Sequence, residues 1–365
     1  MKRLYILVLG FVFLLSTGCA SPPPATPTVP PISTMPPLTP TPLPDEGLHF
    51  LLTSSGDEAV QIKRLAQGWT AFHPASWGTT IQRGDLIQPP SDGDVVVLCA
   101  DLTVHTLTQE AGSPCQVSQP DLFWDGVQIV RPMAPGQQVP FIIYPRRTST
   151  IETHPLLQWH DTGASSYTVA IIQDGVAIWQ EAGVTTTEIH YPDDAPPLEP
   201  GENYLLEITD VDSGASSSAD PSKGLGFQLL APEQSAVVNA ARARIMALPL
   251  EEGAKQFALA NYYAGQGLYG DALAALDEAA VMHKSPQVLL WRGRILIAIR
   301  FNADAQTAFN DASILAETVG DVESQAEARA ELWKLTGNKG YWDTAVALYQ
   351  QLGDTERVSA LENER

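Results

Sequence analysis

The chain has 365 residues, enough for roughly two or three domains, and its hydrophobic content of 44% can fill several cores. Its formal net charge is −21, from 21 basic and 42 acidic residues. A surface of that sign repels phosphate backbones and anionic headgroups, which excludes nucleic acid as a partner.

The first residues predict export. Met1-Lys2-Arg3 carries positive charge, Leu4–Leu15 is apolar, and small residues lead to Cys19. This apolar run is too short to cross a hydrocarbon core of about 30 Å as a helix. The pattern resembles the signal of bacterial lipoproteins, with Ser16 where that family usually has leucine. The resemblance implies a signal peptide over 1–18 and a lipid on Cys19, which anchors the mature protein at the extracytoplasmic face of the cell membrane.

Residues 19–47 are predicted to be a tether that follows the lipidated cysteine. Proline recurs at nearly every second or third position from residue 21 to 44, threonine is frequent, and charge is almost absent. Proline-rich chain favours the extended polyproline form at about 3.1 Å per residue. We expect this segment to hold the folded part of the protein several tens of Å from the membrane, at a rise of that order per residue.

The segment 48–145 alternates short β-rich runs with glycine, proline and aspartate turns, which predicts a small all-β domain. Its Gly84-Asp85-Leu86-Ile87 step precedes the runs Gly93–Leu98 and Asp101–Val104, and this spacing resembles FecR-like domains. Some members of that family are regulators, so an envelope sensor or assembly factor is an alternative function. Such a role needs a partner that crosses the membrane, because no segment after Leu15 is apolar enough to do so.

Cys99 and Cys115 are the only cysteines besides Cys19. Outside the cytoplasm a lone close pair is expected to oxidise, and the disulfide would contribute on the order of 3 kcal/mol by loop closure. Two unpaired thiols are the first alternative. A metal site is the second, but His105 is the only further ligand near the pair in sequence.

The segment 146–230 is predicted to be a second all-β domain. Runs such as Tyr167–Ile172 and Tyr204–Thr209 stand at sandwich spacing with turn residues between them. The stretch Leu198–Tyr204 resembles the tyrosine corner of fibronectin type III domains, in which a tyrosine hydroxyl bonds back to the preceding backbone. That resemblance implies a spacer or a binding module.

From residue 231 to 365 the apolar period becomes helical, and packing residues recur along the segment. The alanines Ala272, Ala305 and Ala345 are about 33 and 40 residues apart, near the 34-residue period of tetratricopeptide repeats, which this segment resembles. The fold class is therefore predicted as multidomain: two all-β domains, the second an Ig/fibronectin-like sandwich, followed by an all-α helical repeat array.

The sequence contains no catalytic signature, and we expect neither an enzyme nor a cofactor or metal site. The run Asp210–Gly214 resembles a calcium loop weakly, because glycine stands at its fifth place; a β-turn is the favoured interpretation. Binding of envelope polysaccharide is another alternative function. Its stacking platforms would be Trp69, Trp77, Trp124 and Trp179.

The helical segment offers one sharper hypothesis. In tetratricopeptide arrays the first helix of each pair lines the concave face, where this register exposes Asn261, Arg294 and Lys334. A polar, locally basic line of this kind suits an acidic or carboxylate-ended peptide. Glu331 stands at a position where a peptide-carboxylate clamp of this family has a basic residue. The alternative is that Arg294 and Lys334 pair with neighbouring acids. We therefore expect a non-catalytic interaction scaffold whose helical repeats bind a protein or peptide of the cell envelope.

Overall fold

A computed structural model of the chain describes residues 49–54, 59–115, 139–219 and 226–364. Within these ranges a β-sheet region is followed by eight helices, as the sequence predicts. All of these residues belong to one compact unit. No helix in this part of the chain has the length and apolar character that a membrane crossing requires.

The first eight strands form two four-stranded antiparallel sheets, with the strand orders β4-β1-β6-β7 and β3-β2-β5-β8. We call this part the first β module. Its strands are β1 (His49–Ser54), β2 (Val60–Lys63), β3 (His73–Ala75), β4 (Thr80–Ile81), β5 (Leu86–Gln88), β6 (Val95–Leu98), β7 (Val104–Leu107) and β8 (Ala111–Gly112).

The second β module contains the other eight strands, in a five-stranded sheet of order β10-β16-β15-β12-β13 and a three-stranded sheet of order β14-β11-β9. Its strands are β9 (Ile142–Tyr144), β10 (Thr148–Thr150), β11 (Leu156–Trp159), β12 (Tyr167–Gln173), β13 (Val176–Val184), β14 (Glu188–His190), β15 (Asn203–Asp210) and β16 (Phe227–Leu229). Strands β10 and β16 pair in parallel. Trp159, Tyr167, Tyr204 and Phe227 fill the space between the sheets.

The helices follow one another in the last third of the chain. They are α1 (Pro232–Met246), α2 (Glu252–Gly265), α3 (Tyr269–Met282), α4 (Pro286–Ala298), α5 (Asn302–Val319), α6 (Val322–Thr336), α7 (Lys339–Leu352) and α8 (Thr355–Asn363). The residues before α2, α4, α6 and α8 are Glu251, Ser285, Asp321 and Asp354. These positions are about 34, 36 and 33 residues apart, which is the spacing that stacked helix pairs require.

Small residues allow the helices to approach closely. Ala272, Ala305 and Ala345 are each 0% exposed, as their predicted packing role requires. At Gly293 in α4 the approach is closer still, because a Cβ atom there would lie 2.4 Å from the ring of Phe309 in α5. Only glycine leaves room for that ring.

The first β module and the helices share their hydrophobic cores. Phe50 and Leu52 pack in one core with Phe257 of α2 and Trp291 of α4, whereas Leu51 belongs to another that includes helices α6 to α8. Alternate side chains of β1 therefore enter different cores, and the strand is buried on both faces. This double burial explains why Phe50, Leu51 and Leu52 are consecutive hydrophobic residues rather than alternating with polar ones.

We predict that Gly293→Ala lowers the free energy of unfolding by about 1–3 kcal/mol, because the added methyl group overpacks the contact with Phe309. The measurement is urea unfolding of the mature protein. Gly112→Ala is the matched control, since a Cβ atom there meets nothing within 4 Å. Equal stability of the two variants would contradict the close packing of α4 on α5.

Candidate functional site

The predicted groove begins at Asn261, and the structure places this residue in the interior. Its side chain is 1% exposed, and its Nδ2 donates a hydrogen bond of 2.8 Å to the Phe257 carbonyl of the same helix. The Phe257 ring lies 5.2 Å from Phe50 of β1 and 5.1 Å from Trp77, measured between ring centroids. Asn261 therefore does not line an open groove, because the first β module covers this face of α2.

The two basic residues of the predicted groove are paired with acids. Arg294 lies 3.4 Å from Glu327 and 3.5 Å from Glu331, both on α6. Burial acts to lower the pKa of Arg294, but these two carboxylates outweigh it and the pKa is raised. Lys334 lies 3.6 Å from Glu364. The arrangement matches the alternative in which these side chains neutralise their neighbours.

The first β module docks on the N-terminal caps of the helices. Ser285 caps α4 by accepting from the Gln287 N–H, and its hydroxyl donates to the Trp77 carbonyl. Asp321 caps α6 in the same way through Ser324, while its second oxygen accepts from the Ser76 N–H at 3.2 Å. Each of these caps thus satisfies a helix N–H and holds the β module.

Four charged side chains form an ionic cluster at the centre of this contact. Arg64, directly after β2, donates to Asp85 at 2.6 Å and to Glu323 of α6 at 2.8 Å. Arg357 of α8 donates to the other oxygen of Glu323 at 2.7 Å. Arg64 and Asp85 are each 1% exposed and Glu323 is 3% exposed. A buried guanidinium thus joins the strands to the helices.

The two carboxylates of the ionic cluster respond differently to burial. Burial tends to raise the pKa of Glu323, but Arg64 and Arg357 outweigh it, so the pKa is lowered. Burial raises the pKa of Asp85, and Arg64 only partly offsets that rise. Glu323 lies between two guanidiniums, whereas Asp85 contacts one and feels the negative charge of Glu323. Glu323 is therefore the carboxylate that stays ionised and bonds to both guanidiniums.

Sequence reasoning did not identify the ionic cluster as a unit. Asp85 belongs to the Gly84-Asp85-Leu86-Ile87 step that carries the FecR resemblance. This motif marks the position of Asp85 but does not predict its contact with Arg64. Arg64 and Glu323 are 259 residues apart. No local pattern relates two residues at that distance, and an acid in the first turn of a helix such as α6 has an ordinary local explanation.

Cys99 and Cys115 lie at disulfide distance, with their Cα atoms 5.4 Å apart. The histidine beside them is His49 of β1, not His105, because β1 pairs with β6. His49 Nδ1 accepts the Ala100 N–H at 3.1 Å, and burial lowers the pKa of its ring. A neutral ring whose Nδ1 accepts carries its proton on Nε2, so neither nitrogen offers a free lone pair to a metal. The donor set does not suit a metal ion.

The Asp210 loop is closed by hydrogen bonds within the protein. Asp210 Oδ1 accepts from the N–H groups of Asp212 and Ser213, and Oδ2 accepts from the Thr162 hydroxyl at 2.6 Å. These bonds lower the pKa of Asp210, with Thr162 as the largest cause. The geometry is that of a turn rather than of an open cation site.

The tryptophans that would bind polysaccharide differ in burial and in their ring contacts. Trp69 is 2% exposed and belongs to the core. Trp77 stacks on His283 at 4.2 Å between ring centroids, and Trp179 meets Tyr191 edge-on at 5.3 Å. Trp124 and the proposed lipidation site Cys19 lie outside the described residues. Each of these three tryptophans contacts another ring of the protein, and Trp179 stays partly exposed.

Comparison with known proteins adds no identification at this point. The sequence matches no protein-family model and no curated protein.

A partly buried carboxylate with a raised pKa lies where α3 begins. The pKa of Asp271 is raised to about 6, with burial as the largest cause and the negative charge of Glu152 acting in the same direction. Asp271 stands at the third position of its helix, as exposed Asp304 does in α5. The two positions differ in burial rather than in helix geometry.

We predict that Arg64→Ala lowers the free energy of unfolding by about 3–5 kcal/mol, because Glu323 and Asp85 would keep buried charge without this partner. Chemical unfolding followed by tryptophan fluorescence measures the loss. Arg83→Ala removes an exposed arginine of the same module and serves as the control. A loss no larger than that of the control would show that the ionic cluster does not hold the strands to the helices.

We also predict that the protein gains stability through Asp271 as the pH falls from about 7 to about 4. The folded state holds this proton more tightly than the unfolded state does, so the ionised form costs stability above the folded pKa. Asp271→Asn should remove a pH-dependent difference on the order of 1–2 kcal/mol. Unfolding curves across this pH range test it, with Asp304→Asn as control; identical pH profiles for the wild type and both variants would refute it.

Proposed function

We propose that the protein is a non-catalytic scaffold, anchored through a lipid on Cys19 at the extracytoplasmic face of a cell membrane and carried on the proline-rich tether. In this proposal the helical array acts as an internal hub that holds the β modules and presents its remaining surface to a protein or peptide of the envelope. The observation that carries it is the ionic cluster of Arg64, Asp85, Glu323 and Arg357, which ties the strands to the helices.

The burial of α2 supports an internal role for the array. All residues from Phe257 to Ala264 are buried, so this helix is covered on every side over two turns. A helix that lines an open groove keeps a polar, exposed face. Displacing the β module would uncover Phe50, Leu52 and Leu98 together, at roughly 1.5–3 kcal/mol for each large apolar side chain. That cost favours a permanent contact over a competing ligand.

Three module types are part of the proposal. For the second β module, the arrangement in two sheets and the Tyr204 hydroxyl, which accepts from the Glu199 N–H at 2.6 Å, support a fibronectin type III-like sandwich. The spacing of the helix caps supports tetratricopeptide-like repeats. The step at Gly84-Asp85 supports a FecR-like domain. Spacer and recognition modules of these kinds suit a protein that binds partners better than one that catalyses a reaction.

We predict that Cys19→Ala moves the protein from the membrane fraction to the soluble fraction of cells that produce it. The lipid on this cysteine is the only attachment that the proposal contains. Labelling with a radioactive fatty acid should mark the wild type and not the variant. A variant that stays with the membranes, or a wild type that takes up no label, would remove the lipid anchor from the proposal.

The interaction role is tested by quantitative capture from solubilised envelopes with the mature full-length chain. A truncation after Ala231, which removes all the helices, is unsuitable because the first β module would lose the hydrophobic residues that complete its cores. We compare instead the double variant Arg294→Gln/Lys334→Glu with the control Lys284→Glu, an exposed lysine on the same array. Because the structure pairs Arg294 and Lys334 with acids, an envelope protein that is retained by wild type and control but lost with the double variant is the result that would support the basic line as the interaction surface. An unchanged set of captured proteins would exclude the predicted basic line as the interaction surface.

A further inference from the structure

Helix α1 is buried along one side only. Its buried residues are Val238, Ala241 and Ile245, and they belong to the core that α2 and the first β module share. The next six helices pack as the pairs α2–α3, α4–α5 and α6–α7, whereas no helix of the described ranges precedes α1. The exposed side of α1 therefore has no partner helix in this part of the chain.

Four exposed residues form a line along this side, which we call the α1 line: Glu233, Val237, Ala240 and Arg244. At 3.6 residues per turn they fall within about 60° of one another around the helix. The spacing of four, three and four residues is that of the seam along which two helices of a coiled coil pack. Val237, near the middle of the line, is 62% exposed. The α1 line thus has the periodicity of a helix–helix contact.

Glu233 and Arg244 carry opposite charges at the two ends of the α1 line. Within the ranges that the structure describes, neither side chain forms an ion pair or a hydrogen bond. Arg244 stays unpaired although acidic residues outnumber basic ones two to one in the sequence. An acid in the first turn and a base in the last turn suit the helix dipole, but the dipole does not require both to lie on one line with Val237.

The α1 line is complementary to its own reverse. Glu233 and Arg244 lie equally far from the midpoint of the line, and so do Val237 and Ala240. If a second α1 runs antiparallel across a two-fold axis, Glu233 faces Arg244 of the second copy and Val237 faces Ala240. The symmetry repeats each of these contacts. A parallel pair would instead place Glu233 against Glu233, so the charges favour the antiparallel arrangement.

We propose that the α1 line is the contact of a two-fold homodimer, in which a second copy of this chain packs its own α1 antiparallel against it. Two Glu233–Arg244 ion pairs close the ends of the contact, and Val237 packs on Ala240 between them. Small side chains allow helix axes to approach to about 8–10 Å. One helix from each subunit makes a small interface, so the dimer depends on protein concentration. This contact is separate from the envelope partner proposed above and does not depend on it.

The test is sedimentation equilibrium of the full chain from residue 19 with Cys19→Ala, so that no lipid can drive association. We expect this parent chain to be a mixture of monomer and dimer. Adding Glu233→Arg or Arg244→Glu should weaken the dimer at least about tenfold, because each change turns two attractive contacts into two repulsive ones. Lys284→Glu reverses the charge of an exposed lysine outside α1 and should associate like the parent chain.

An equimolar mixture of the Glu233→Arg and Arg244→Glu chains is the sharper measurement. A heterodimer of the two has an attractive pair at both ends, whereas each variant alone has a repulsive pair at both ends. We expect the mixture to dimerise at least about tenfold more tightly than either variant alone, by the same charge arithmetic. An effect of either substitution on folding cannot produce that restoration.

The double variant Glu233→Arg/Arg244→Glu keeps the proposal testable if one single variant folds poorly. Its ion pairs are reversed but attractive, so it should dimerise like the parent chain. A parent chain that stays monomeric up to about millimolar concentration would overturn the proposal. Dimerisation that neither single variant weakens, or that neither the mixture nor the double variant restores, would overturn it as well.

Discussion

The pairing of Arg64 with Glu323 is the interaction on which the rest of the structure depends. It places a guanidinium that is 1% exposed between an acid of its own β module and an acid of α6. Breaking such a buried pair from one side costs about 3–5 kcal/mol, a large part of the roughly 5–15 kcal/mol by which a domain is stable. The shared cores around Phe50 and Leu51 add apolar area, and this ion pair joins the end of β2 to the first turn of α6.

The position of this contact changes how the helical array can work. The strands of the first β module cover α2 and contact the N-terminal ends of α4 and α6, so the chain itself occupies helix surface that the sequence predicts to be a groove. The N-terminal caps of α4 and α6 make this contact directly. Ser285 and Asp321 each form a hydrogen bond to the backbone at Trp77 or Ser76 as well as to their own helices. These helix ends therefore contact the protein's own strands, and the proposed interaction with a partner is limited to helix surface outside this contact.

The two β modules contact the helices through different chemistry. Around Glu323, positive and negative groups alternate and the burial of charge is offset within the protein. The second module instead bonds to the backbone of interhelical turns. Arg146 donates to the Ile299 carbonyl, and the Thr148 hydroxyl donates to the Gly267 carbonyl and accepts from the Tyr269 N–H. These bonds fix the second module through main-chain groups, whereas the first module is fixed through charged side chains.

The sequence by itself determined the order of the elements, because period-two and helical patterns are local properties of the chain. It also indicated the cysteine pair, and the packing alanines Ala272, Ala305 and Ala345, which all prove buried. It did not determine that Asn261 is interior or that Arg64 has a partner on α6. Whether a helix face meets water or protein depends on segments far away in sequence, and Arg64 and Glu323 are 259 residues apart. Only the tertiary structure decides such contacts, because no local pattern carries them.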